Sequence, residues 1–136
     1  MRISRISVLL WGAYAVFVGL AFYLNWHERM FQFSGSLAML KLSVWAVFLC
    51  FLAYSVYCST REDLFRTIGQ MSKLYWGRQI GADLYLGLFL GLIIVYLHGG
   101  IVAVLLWIIP TLAFANLAIL LYFAIHFDAI ADKLLI

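Results

Sequence analysis

Between positions 101 and 127 the chain reads "IVAVLLWIIPTLAFANLAILLYFAIHF", with no Asp, Glu, Lys or Arg. A helix needs about 20 apolar residues to cross the hydrocarbon of a bilayer. A stretch this long and this uncharged has few other destinations. Three more apolar runs, two of them with a single charged residue, cover 7–26, 37–58 and 80–98. The pattern predicts an all-α integral membrane protein of four transmembrane helices.

Composition closes the soluble alternatives. The 136 residues are 67% hydrophobic and 11% charged, against roughly 45–50% and 25% in soluble domains. A chain this short has too much exterior to hide that much apolar surface from water. One membrane domain accounts for the whole length. Arg2 and Arg5 before an apolar run that contains "AYA" at 13–15 suggest a signal peptide. Cleavage there would leave too short an apolar core and an equally apolar continuation, so an uncleaved first span is expected.

Basic residues give orientation. Arg2, Arg5, Arg61, Arg66, Lys73, Arg78 and Lys133 fall on one side of the four predicted spans, Arg29 and Lys41 on the other. The positive-inside rule then places both termini in the cytoplasm, with a bacterial inner membrane as the default setting. Gly99–Gly100 allows so short a turn that the last two spans should be antiparallel neighbours. Trp11, Trp26, Trp76 and Trp107 fall near predicted span ends, and Trp45 falls deeper. No internal repeat is evident.

Between the second and third spans lies "STREDLFRTIGQMSKLYW". Leu64, Ile68, Met71 and Tyr75 recur on one helical face, and Glu62, Arg66, Gln70 and Lys73 on the other. An amphipathic cytoplasmic helix over about 60–75 is expected to lie in the headgroup layer. Ser59 or Thr60, followed by Glu62 or Asp63, offers its capping chemistry.

The third span carries two G-x-x-x-G pairs, Gly77 with Gly81 and Gly87 with Gly91, within one arc of the helix. Small residues let helices approach closely in lipid, so this stripe is expected to be a packing face. Asp83 borders it. Gln79, Arg78 and His126 are its expected partners, either as a clamp between spans three and four or around a proton- or cation-binding carboxylate. Pro110 should kink the fourth span. Asn116 and Tyr122 beyond it could line a pocket for a quinone or another lipid-soluble ligand.

Other chemistry is thin. His27, Glu28 and His98 follow no metal-ligand spacing, and with His27 and His98 on the outer side and His126 on the inner one, neither a transverse pair nor a deep ligand for haem is evident. Cys50 and Cys58 read as buried small hydrophobes. No nucleophile–base set, zinc motif or phosphate loop occurs, and neither cofactor nor metal is expected. Membrane lipids and a second membrane chain, its own copy or another, are the expected partners; nucleic acid is not.

The leading expectation is a non-catalytic packing or accessory subunit of a homo-oligomer or larger membrane complex. A small transporter using Asp83 and a quinone- or lipid-binding subunit are the alternatives. Small four-helix multidrug exporters are similar in length and span count. Their first span carries an essential acidic residue, and positions 7–26 contain none.

Overall fold

The computed structural model describes residues 5–26, 31–33 and 35–134. Among these residues six helices follow one another: α1 Arg5–Leu24, α2 Ala38–Arg61, α3 Leu64–Met71, α4 Tyr75–Phe114, α5 Asn116–Ile125 and α6 Phe127–Leu134. No strand occurs among the described residues. Three helices, α1, α2 and α4, are long and apolar enough to cross a membrane.

The first two helices are antiparallel. Near one end the Trp11 Nε1 donates to Ser59 Oγ at 2.9 Å; toward the other, the Phe22 and Trp45 rings stack at 6.2 Å. The end that holds Arg5 and Arg61 is called the near end, and the opposite one the far end. Asp63 caps α3 by accepting from the Phe65 N–H at 3.0 Å. Ser59 and Thr60, expected to cap it, belong to the last turn of α2. Leu64, Ile68 and Met71 of α3 are exposed, so none of the described residues covers its apolar face.

Gly100 breaks α4 with φ 75° and ψ −168°, a conformation in which a Cβ is strongly disfavoured. The arm 75–99 rises to the far end and the arm 101–114 comes back. Rings record that return: Trp107 meets Phe17 at 5.1 Å and Phe114 meets Tyr14 at 4.9 Å. As α1 climbs, this second arm descends.

The fourth helix departs from expectation. Instead of one rod over 101–127, the chain reverses at Ala115, where φ is 52° and ψ −127°. The second arm spans only about 21 Å at 1.5 Å per residue. Ala115 N–H still donates to Thr111 O at 2.8 Å, and Ala115 O accepts from the Ala118 and Ile119 N–H groups. From there α5 climbs beside the first arm. Ile119 lies against Gly91, where an added Cβ would come within 3.2 Å of it, and Tyr122 reaches His98.

This short helix is the centre of the molecule. Leu117, Ala118, Ile119, Leu121, Tyr122, Ala124 and Ile125 are all buried. Around them lie Tyr14 of α1, Trp45 and Phe48 of α2, and Leu88 and Val95 of α4. Trp45 therefore packs inside, as its depth suggested, and Trp107 does too rather than anchoring at an end. Cys50 and Cys58 correct the reading as buried residues: both are exposed on α2.

Finally, α6 lies at the far end. Its Lys133 Nζ donates to Leu97 O at 2.7 Å and to His98 O at 3.0 Å, capping the first arm. The described C-terminal residues thus sit opposite Arg5, and Lys133 leaves the group of cations with which the sequence pattern placed it. The physical reason is the reversal at Ala115, which turns one descent into a descent and a return.

The two glycine-like backbone positions make a paired prediction. Ala115→Gly should relieve the strained φ and raise thermal stability by about 1 kcal/mol. Gly100→Ala should lower it by about 1–2 kcal/mol. Thermal unfolding in a mild detergent measures both.

Candidate functional site

Polar side chains gather at the far end, where five segments meet. Lys41, one turn into α2, is buried, and its ammonium lies 3.0 Å from Asp128 Oδ2 of α6. It also donates to Gln32 O at 2.9 Å and stands 5.7 Å from the centre of the Phe33 ring. A lone cation within an apolar run needs such partners, because an isolated buried charge is costly. The sequence held that signal in Lys41, but gave no clue to which acid would answer it.

Beside this pair stand His98, Tyr122 and His126. Tyr122 OH and His98 Nδ1 are 2.5 Å apart, the hydroxyl donating when that nitrogen carries no proton. The two imidazole rings are 4.9 Å apart, and the Tyr122 and His126 rings 4.5 Å. Trp107 closes one side of Tyr122 at 4.9 Å. A groove of about 340 Å³ runs alongside, lined by Ile94, Leu97, His98, Ile130, Lys133 and Leu134. Such a set can hold a hydrogen-bonding headgroup or carbonyl. Among the described residues no three His, Cys, Asp or Glu side chains are grouped to hold a metal ion.

This neighbourhood corrects two expectations. His126 was expected near Asp83, and instead the returning α5 carries it to His98. The histidines placed at different depths are in fact adjacent. Asp83 is exposed on the first arm, and no hydrogen bond or ion pair joins it to another described residue. Arg78 donates its Nε–H to Ser72 O at 2.7 Å and lies over the Tyr75 ring, and Gln79 is exposed. The structure therefore does not bring Asp83, Arg78, Gln79 and His126 together. His27 and Glu28 lie outside the described residues.

The glycines divide by what surrounds them. Gly91 is buried against Ile119, and Gly77 abuts the backbone of Met71; an added Cβ at Gly81 or Gly87 would meet nothing within 4 Å. Pro110 stays inside the second arm, with the break five residues later. Asn116 opens α5 and is exposed, while Tyr122 is buried at its other end. These three do not form one pocket.

No protein-family model matches the chain, and neither a curated protein nor a solved structure gives a match.

Asp128→Ala should cost about 1–3 kcal/mol, because it strips a buried ammonium of its counter-charge. Adding Lys41→Met should recover part of that loss. Chemical or thermal unfolding of both single variants and the double variant gives the coupling.

Proposed function

We propose that this chain is an integral membrane protein that acts as a non-catalytic subunit, completing its fold against a second membrane-embedded chain. One observation carries the reading. Along the core-facing line of the first arm, Leu88, Gly91 and Val95 are buried under α5. The same line continues to Leu84, which is 38% exposed, and past Gly81, which has open space beside it. The second arm turns back at Ala115 and leaves this half without cover.

Lipid gives helices no hydrophobic reason to associate, so close approach at small residues supplies much of the cohesion. Gly81 and Gly87 offer such approach on a flank that none of the described residues fills. A second copy is the first partner to test, since it would bring an equal flank. The near end, with Arg5, Arg61, Arg66, Lys73 and Arg78, faces the cytoplasm under the positive-inside rule. There α3 lies with its apolar face in the headgroup layer of a bacterial inner membrane. The far end, with Lys41 and Lys133, faces outward.

Gly81→Leu and Gly87→Leu should weaken assembly at least tenfold while changing monomer stability by less than about 0.5 kcal/mol. Gly91→Leu should destabilise the monomer itself by about 1–3 kcal/mol. Native mass spectrometry and size analysis in mild detergent read assembly; unfolding reads stability. A wild-type chain that is strictly monomeric and brings no membrane protein with it would end the proposal.

A second reading rests on the far-end groove: a lipid-soluble ligand held beside His98 and Lys133. Extraction and identification of co-purified lipids tests it, and a preparation with only bulk lipids counts against it.

A further inference from the structure

The far-end groove has a polar head and an apolar body. Ile94 and Leu97 of the first arm and Ile130 and Leu134 of α6 give it aliphatic walls, and His98 and Lys133 complete the lining. Ile94 lies one helical turn, about 6 Å, deeper than His98. In a bilayer crossed by the long helices, the groove therefore turns from polar to apolar on the way inward. Phosphate and acyl chain follow the same order in a lipid of that leaflet. Leu97 and Leu134 are 58% and 65% exposed, so the groove opens to its surroundings.

Its charge is positive and fixed in place. Lys133 Nζ donates to Leu97 O and His98 O, which holds the ammonium against the end of the first arm. Two carbonyls occupy two of its three donors and leave its charge uncancelled. No carboxylate lines the groove: Asp128 is taken by Lys41, and Asp132 is not part of the lining. Ile130, Lys133 and Leu134 share one face of α6 at i, i+3 and i+4. Tyr122 donates to His98 Nδ1 when that nitrogen carries no proton, and the neutral ring then has an N–H donor at Nε2.

We infer that this groove binds one phospholipid of the far leaflet whose headgroup is anionic and carries no amine, such as phosphatidylglycerol. Its phosphate meets Lys133 and His98, and the first part of one chain lies along Ile94 and Leu97. This deepens the second reading above, a lipid-soluble ligand beside His98 and Lys133, and rests on it. A zwitterionic lipid would bring an ammonium as well, which asks for a carboxylate or the face of a Trp, Tyr or Phe ring. The lining supplies neither. A volume of about 340 Å³ is at the lower end of small-ligand sites, roughly 300–1,000 Å³. It suits a headgroup and the start of a chain, with the remainder among bulk lipid.

The test is native mass spectrometry of the full chain in mild detergent, titrated with phosphatidylglycerol or phosphatidylcholine of identical chains. One phosphatidylglycerol per chain should be retained about fivefold or more tighter than phosphatidylcholine. Lys133→Gln should abolish that preference, and Lys133→Arg should keep it. Because Lys133 also caps the first arm, Leu97→Trp gives an independent arm. It fills the groove from an exposed position and should weaken binding by about fivefold, with the lipid-free melting temperature unchanged. Soluble glycerol phosphate, a head without a tail, should not displace the lipid. Equal retention of both lipids by wild type would overturn the inference. So would a preference that survives in both Lys133→Gln and Leu97→Trp, which the near-end cations would then explain, or displacement by glycerol phosphate. A quinone or neutral lipid retained instead would overturn it and leave the second reading standing, whereas retention of no lipid would end both. The mass of each complex reads assembly separately.

Discussion

The fold hangs on a reversal of the main chain at Ala115. A peptide group away from water must find a hydrogen-bond partner, and a helix satisfies that demand by continuing. Here continuation is given up in the middle of an apolar run. The return is held by what α5 finds on the way back: Gly91 gives it room, and aromatic rings from α1 and α2 close around it. Without that encirclement a left-handed alanine would have no reason to persist.

The two ends of α5 are secured by different chemistry. At its start, a tyrosine hydroxyl from α1 reaches the backbone of Leu117. At its finish, Tyr122 meets His98, and α6 then fastens to α2 through Asp128 and to α4 through Lys133. The Lys41–Asp128 contact is one-sided in burial, 3% against 46% exposed. Its energetic weight therefore falls mainly on the lysine, whose desolvation the carboxylate and Gln32 O offset. Position, more than net stability, is what such a pair supplies.

Much of this architecture was legible in the residues. Apolar runs gave the long helices, and Gly99–Gly100 gave the turn after the first arm. The amphipathic spacing of Leu64, Ile68 and Met71 gave α3. What the sequence hid was the second reversal. Both limbs of the hairpin are apolar and uncharged, Pro110, Thr111 and Asn116 only lower the hydropathy between them, and no glycine marks the strained position. Pro110 drew attention instead, although its helix survives it. Once that reversal is missed, His126 falls at the wrong end, and its meeting with His98 cannot be seen. Lys41 entered the sequence reading only as a charge counted by side; its partner lies 87 positions away, and only the completed topology names it.

The order of synthesis acquires a meaning from the same hairpin. Apart from α6, the helices that surround α5 precede it along the chain, so α1, α2 and both arms of α4 leave the ribosome while the space between them is still vacant. Their early association has to remain loose enough to admit a late wedge. The centre of the molecule is thus the part that arrives after its walls, and closure of the bundle becomes an event of its own rather than the sum of earlier insertions.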